Sequence, residues 1–371
     1  MSLLRFDLAT PADDEGLRRL LRENPMQGSI SLSFEREPCY FNASPLEGPF
    51  QQTLVAHEVA TGEVVGFSNR SVRPMFLNGS VQSVGYMSQL RIHPKLGQGL
   101  YLARALGQGF EYYHALHSDG RAPFYLMSII EDNLPARRLL TSGLPHYPSV
   151  QEYQRLFTCA IYPVRRQPNL ALPGTLRLAR GTAIHAEGIV ACLNRNSARR
   201  QFSPFWTVES LFIAHLSPAD FFLALDGDRV VGCLACWDQS LFKQTVLRGY
   251  TGPLKRWRKL LNLLAPVGGW PILPEPNTHL RYAYASHLAV DADDPRIFAG
   301  LLRALYNHSI EQGYSYFMLG LAEAHPLHNV VAHYRPIIYK SQLYLVAWED
   351  GQAAVDAVDK SLLPAPEIAL L

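Results

Sequence analysis

The stretch with the clearest chemical meaning is Leu90-Arg91-Ile92-His93-Pro94-Lys95-Leu96-Gly97-Gln98-Gly99-Leu100. An apolar, strand-like run gives way to two glycines with one residue between them. A helix begins at once, with Leu102, Leu106, Phe110 and Tyr113 on one face. Glycine permits the backbone angles that turn N–H groups outward, and a helix start adds partial positive charge. Together they make a site for a phosphate or pyrophosphate that needs no charged side chain. A second cluster, Ile130-Glu131-Asp132-Asn133-Leu134-Pro135-Ala136, follows the apolar run 124–130. Asn133 suits the cap of a helix whose first turn holds Pro135. A carboxylate at such a strand end is a group that can accept a proton from a nucleophile. It is equally a group that a helix N-terminus attracts.

Other groupings carry weaker chemistry. Cys233 and Cys236 have the spacing of a thiol pair, but an extended strand turns their side chains to opposite faces, which reads as core. Glu323, His325, His328 and His333 include metal-ligand types, yet Pro326 interrupts them and they read as loop histidines. His287 sits in a strand and reads as a core histidine or as a base facing a shared cleft. Residues 254–264 form a basic amphipathic helix with Leu254, Trp257, Leu261 and Leu264 on one face. That helix suits domain packing, or contact with nucleic acid or a membrane surface.

The elements that must position these groups occur twice. Glu15-Gly16-Leu17 through Asn24 resembles Glu187-Gly188-Ile189 through Asn196, and each follows a short strand. Val64-Val65-Gly66 returns as Val230-Val231-Gly232, each after a turn of hairpin type (Ala60-Thr61-Gly62-Glu63 and Asp226-Gly227-Asp228). Ser88-Gln89-Leu90-Arg91-Ile92 returns as Ser286-His287-Leu288-Ala289-Val290. An insertion separates the later matches, between about 240 and 282. The pattern predicts two copies of one α/β (α+β) domain, at 1–165 and 175–371, with prolines 163, 168 and 173 marking the junction. Within each copy, a hairpin implies antiparallel strands, and strand–helix–strand implies a parallel pair.

In this order, the motifs resemble the GNAT superfamily of acyl-CoA-dependent N-acetyltransferases, in a tandem two-domain form with a degenerate C-terminal copy. The resemblance implies two mixed twisted sheets flanked by helices, each with its fourth and fifth strands splayed. In the first copy it implies that acetyl-CoA, or another acyl-CoA, lies in the splay. Leu90, Arg91 and Ile92 would bond the pantetheine arm. Gly97, Gln98, Gly99 and Leu100 would hold the pyrophosphate, and Asn133 and Arg137 would contact the cofactor from the other side. Glu131 is the candidate base, with Asp132 next. The family's tyrosine acid falls at Leu140, so Tyr147 or Tyr153 would have to replace it. In the second copy the turn reads Asp291-Ala292-Asp293-Asp294, without glycine, and its carboxylates are expected to repel a pyrophosphate.

Composition bounds the alternatives. The chain has 371 residues, 48% hydrophobic and 18% charged, with a net charge of +2. That is a globular composition without the basic bias of an obligate nucleic-acid binder. Five scattered cysteines argue against a disulfide framework and for a reducing, cytoplasmic setting. No apolar run reaches the length of a membrane span, so no membrane association is expected. The expected activity is acyl transfer to an amine of a small molecule or peptide, without metal. The alternative is an acyl-CoA-binding or regulatory protein without catalysis. The oligomeric state and the acceptor are not legible in the chain.

Overall fold

The computed structural model describes residues 3–26, 28–97, 99–268 and 272–371, with backbone only at 266–268. The first half contains β1 (Leu4–Leu8), α1 (Asp14–Glu23), β2 (Ile30–Glu35), α2 (Ser44–Glu47), β3 (Phe50–Glu58), β4 (Val64–Leu77), β5 (Ser80–Ile92), α3 (Leu100–His117), β6 (Tyr125–Ile130), α4 (Leu134–Leu140) and β7 (Ser149–Ile161). The second contains β8 (Arg177–Arg180), α5 (Ala186–Ser197), β9 (Ser203–Pro204), α6 (Val208–Leu211), β10 (Phe221–Asp226), β11 (Arg229–Trp237), β12 (Gln244–Tyr250), α7 (Gly252–Gly268), β13 (Thr278–His279), β14 (Tyr282–Val290), α8 (Pro295–Glu311), β15 (Tyr316–Ala322), α9 (His328–Ala332), β16 (Ile337–Ala347) and α10 (Gln352–Asp356).

The repeated sequence words have a packing cause. Gly16 on α1 lies against Val64, where a Cβ would come within 2.8 Å of the valine side chain. Gly188 on α5 meets Val230 in the same way at 3.0 Å. In each half a helix lies tight on a hairpin, and only glycine leaves room for that approach. The hairpins are β3–β4 and β10–β11, both antiparallel, and each is extended by a third antiparallel strand, β5 or β14. The parallel pairs are β5–β6 and β14–β15, joined through α3 and α8.

The halves share one mixed sheet, in the order β1-β3-β4-β5-β6-β16-β7-β15-β14-β11-β10-β8, with β9 on β4. Their closing strands are exchanged. β16 lies between β6 and β7, and β7 pairs with β15. The insertion of the second half adds another tie, because its strand β12 pairs with β2 of the first half and with β13. Cys233 and Cys236 fall in two different core clusters, as alternation along β11 requires. All five cysteines are free. Among the described residues, no helix is long and apolar enough to cross a membrane.

Candidate functional site

β5 and β6 are neighbours for only part of their length. Their pairing covers Gly85↔Tyr125, Tyr86↔Leu126 and Met87↔Met127 and then stops, although β5 continues to Ile92 and β6 to Ile130. The divergence begins at a bulge. Gln89 and Leu90 together oppose Ser68, as the register passes from Asn69↔Ser88 to Phe67↔Arg91. Gln89 has φ +55°, a left-handed angle uncommon outside glycine. Such a bulge bends the strand and ends its pairing.

The wedge opens on a cavity of about 280 Å³. Residues 87–92 of β5 and 127–130 of β6 line it, with Leu102, Leu106, Phe110 and Tyr113 of α3. Leu4, Phe6 and Leu54 extend the apolar lining across the sheet. The polar groups are few. The Ser68 and Tyr113 hydroxyls lie 2.8 Å apart, and those of Tyr86 and Ser128 lie 3.2 Å apart. Burial pushes the Tyr113 hydroxyl well above its usual pKa, so it stays protonated. Ser88 Oγ, at the bulge, is buried without a partner among the described residues. Among the described lining residues there is no Asp, Glu or His.

The glycine turn follows directly. Pro94–Leu96 form a single tight turn, with His93 Nδ1 accepting from the Lys95 N–H at 3.0 Å. Gly97 has φ 68°, ψ −148° and Gly99 has φ 76°, ψ −143°. This region of backbone space is essentially restricted to glycine. Nothing lies within 4 Å of where either Cβ would be, so backbone angle and not crowding selects the residue. The 18-residue helix α3 starts at Leu100. Lys95 is held by Glu63 at 2.8 Å and Glu58 at 3.1 Å, and these carboxylates raise its pKa. The anion-binding capacity of the turn is therefore mainly that of its backbone.

Leu90, Arg91, Ile92 and Asn133 all line the cavity, and Asn133 also caps α4 by accepting from the Ala136 N–H at 3.3 Å. Gly97, Gly99 and Leu100 form the turn and the helix start, while Gln98 lies outside the described residues. The remaining candidates stand off the cavity wall. The Glu131 N–H donates to the Lys340 carbonyl at 2.8 Å, and its carboxylate is 3.3 Å from Arg155 Nη2. Asp132 is exposed. Arg137 donates to the Tyr344 hydroxyl at 3.1 Å and to the Glu131 carbonyl at 3.4 Å. The Tyr147 hydroxyl donates to the Ala103 carbonyl at 3.2 Å, its ring packs on Phe110, and burial raises its pKa to about 12. The Tyr153 hydroxyl donates to the Leu362 carbonyl at 2.8 Å. Leu140 itself lines the cavity.

The second half repeats this geometry with a different filling. β14 and β15 pair only at Tyr282↔Tyr316, Ala283↔Phe317 and Tyr284↔Met318, and then diverge. His287 and Leu288 form the matching bulge opposite Leu234, and His287 has φ +53°. Here the His287 N–H donates to the Glu367 carboxylate at 2.6 Å. Ile368 lies against Gly320, where a Cβ would come within 2.1 Å of it. The His287 ring is packed between Trp206, Phe221 and Trp237, and burial drives its pKa down to about 3. It is a core histidine. The acidic turn also differs from the sequence expectation. Asp291 is met by Arg195 at 2.9 Å and Arg229 at 3.1 Å, and Asp293 by Arg199 at 2.6 Å and Arg200 at 2.5 Å. Asp294 caps α8 by accepting from the Arg296 N–H at 2.8 Å. The carboxylates are thus neutralised, and occupation replaces repulsion as the obstacle to an anion.

Two groups of residues escaped the sequence reading. The lining from β1, β3 and β4 is indistinguishable from ordinary core in a hydrophobicity pattern. The charged residues Arg36, Glu47, Arg73 and Lys243 gather between the halves through long-range folding, and only arginines inside the apolar β4 run signalled them. Helix α7 does not bury the whole of its apolar face, since Trp257, Leu260, Leu263 and Leu264 are exposed. His328 and His333 make local backbone contacts, and no metal-binding group of side chains occurs among the described residues.

No family model matches the chain, and no curated protein matches it in sequence. Solved structures do match. A GCN5-related N-acetyltransferase from Sphaerobacter thermophilus aligns over 93% of this chain and 96% of its own, with a TM-score of 0.55 and 13% identity. The Saccharomyces cerevisiae N-myristoyltransferase with bound myristoyl-CoA aligns over 93% of this chain and 83% of its own, with a TM-score of 0.60 and 11% identity. At such low identity the likeness speaks for architecture. Together with the repeated bulge and splay, it gives the chain the GNAT fold in a tandem, two-halved form.

Proposed function

We propose that the chain is an acyltransferase that moves an acyl group, acetyl in the simplest case, from an acyl-CoA to an amine. The observation that carries this reading is the splay of β5 from β6 at the Gln89 bulge, leading into the left-handed glycine turn at the start of α3. A thioester arm fits a wedge whose strand edges are free to bond it, and a pyrophosphate fits the turn. The apolar cavity beyond suits an acyl chain, and the matched myristoyltransferase carries a fatty acyl-CoA. In this reading residues 1–165 bind the cofactor through Leu90, Arg91, Ile92, Gly97, Gly99, Leu100 and Asn133. Residues 175–371 form a degenerate copy that completes the acceptor side. No metal takes part, and the free cysteines fit a cytoplasmic setting.

Direct transfer requires a neutral amine attacking the thioester carbonyl, a base for its proton and a donor for the departing thiolate. Glu131 is the proposed base, because it directly follows Ile130, the last residue of β6 and part of the cavity lining. A second reading, acyl-CoA binding without transfer, draws on the outward pairing of Glu131 with Arg155 and on the lack of any carboxylate or imidazole among the described lining residues. Thiol release measured with an acyl-CoA length series and an amine panel separates the two. Transfer predicts turnover that falls about 100-fold in Glu131→Gln with unchanged acyl-CoA affinity. Tight acyl-CoA binding with no release from any amine would establish the second reading.

A further inference from the structure

Helix α7, in the insertion of the second half, is fastened to the molecule along one side. Leu254 and Leu261 are half-buried and Ala265 is buried. Next to them Asn262 clasps the returning chain, donating to the Leu273 carbonyl at 2.9 Å and accepting from the Leu273 N–H at 2.8 Å. Arg258 pairs with Glu275 at 2.5 Å and donates to the Pro274 carbonyl at 3.2 Å. The other side carries Trp257, Leu260, Leu263 and Leu264, which spacings of three and four residues set in one stripe. These side chains are 49%, 47%, 74% and 45% exposed. Single exposed apolar residues are ordinary, but a continuous stripe on one helix marks a contact surface.

The charge beside the stripe has one sign. Residues 239–274 contain six Lys and Arg and no Asp or Glu. Glu35 and Glu275, from outside that stretch, answer Arg248 and Arg258. Lys255, Arg256 and Lys259 are exposed, and among the described residues none of them has a carboxylate within 4.0 Å. Arg256 lies over the Trp257 ring at 5.4 Å, and Lys255 and Lys259 stand one turn apart. An occupant of this face must take up four apolar side chains and answer three cations. A second copy in a two-fold pair would bring two basic borders together. A nucleic acid would answer the cations and leave the leucines in water. An anionic lipid surface does both, since its acyl boundary receives the leucines, its headgroup level suits tryptophan, and its phosphates meet the Lys and Arg heads. We propose that α7 docks the protein on an anionic membrane surface, with Trp257, Leu260, Leu263 and Leu264 in the headgroup–acyl boundary and Lys255, Arg256 and Lys259 on the phosphates. Peripheral contact needs no spanning segment, so the sequence expectation of no membrane association does not extend to it. The proposal is independent of the acyltransferase reading.

Sedimentation of the whole chain with lipid vesicles tests this. With about 30% phosphatidylglycerol in phosphatidylcholine, the protein is expected to bind at least about tenfold more tightly than to phosphatidylcholine alone. Binding should weaken as salt rises from about 0.05 M to about 0.5 M. Lys255→Gln combined with Lys259→Gln should weaken it about 25-fold, and Leu260→Gln and Leu263→Gln about tenfold each. All four positions are exposed, so the melting temperature should stay unchanged. Vesicles with brominated acyl chains should quench tryptophan fluorescence, and less so in Trp257→Phe at equal binding. No binding, equal binding to both vesicles, leucine variants that bind as the native chain does, or quenching that Trp257→Phe leaves intact would overturn the proposal. A dimer in light scattering that Leu260→Gln dissolves, without vesicle binding, would assign the stripe to a second copy instead. Binding to a DNA duplex that depends on Lys255 and Lys259 but not on the leucines, without vesicle binding, would likewise overturn it.

Discussion

The two halves build the same wedge and treat it in opposite ways. Each stops its parallel pairing after three register positions, and each has a two-residue bulge with a left-handed residue, Gln89 in one and His287 in the other. In the first half the wedge leads to a cavity and a turn whose glycines leave the backbone exposed to an anion. In the second, the chain's own Glu367 occupies the bulge N–H, Ile368 fills the space against Gly320, and four arginines consume the acidic turn. A binding geometry can therefore persist after its capacity is lost, because bulge and splay are properties of the sheet while the site is a property of what fills them.

The contrast can be broken from either side. The largest effect is expected at the turn. Gly99→Val places a branched side chain in a backbone region restricted to glycine and should weaken acyl-CoA binding about 100-fold. Calorimetric titration of the native chain should give one acyl-CoA per chain, and two would erase the distinction between the wedges. Next, Asp293→Ala leaves Arg199 and Arg200 without their carboxylate and should cost about 2 kcal/mol in urea unfolding at pH 7. Burial would raise the Asp293 pKa, but the two arginines outweigh it and hold it below 3.8. Its contribution is therefore in place above that value and drains away as pH falls below it, so native and variant stabilities should converge in acid. Filling Gly320 by Gly320→Ala pushes a methyl into Ile368 and should destabilise by about 1–2 kcal/mol without touching acyl-CoA affinity.

The smallest effect is a pH profile. Lys243 faces Arg36, Arg73, Glu47 and the Tyr284 ring, and its lowered pKa leaves it charged below about 8. The effect is read in urea unfolding, with Lys243→Met, which has nothing to titrate at this position, as the reference. Burying the charge costs stability at low pH, and the cost is relieved as pH rises from about 8 towards the ordinary 10.5.

What the chain disclosed and what it hid follow from range. The Gly16 and Gly188 contacts are tertiary and show only because the same words occur in both halves, whereas Gly97, Gly99 and the Asn133 cap are set by local backbone needs, and local needs leave marks in sequence. The parallel pairs and hairpins were legible for the same reason. The arginines that answer Asp291 and Asp293 come from α5, just after it and β11, and no local pattern links them. The exchange of β7 and β16 is likewise invisible, since a closing strand reads alike whichever half it joins. Glu131 shows the limit for chemistry. Its position at the end of β6 was foreseeable, but its partner Arg155 stands on the exchanged strand β7.

That exchange has a consequence for biosynthesis. The edge of β6 is covered by Ser341–Val346, which emerge from the ribosome more than two hundred residues after it. At common synthesis rates this apolar edge waits roughly 10–40 s for its partner. An unpaired strand edge is a template for aggregation. The nascent first half is thus expected to depend on a chaperone until its last strand arrives.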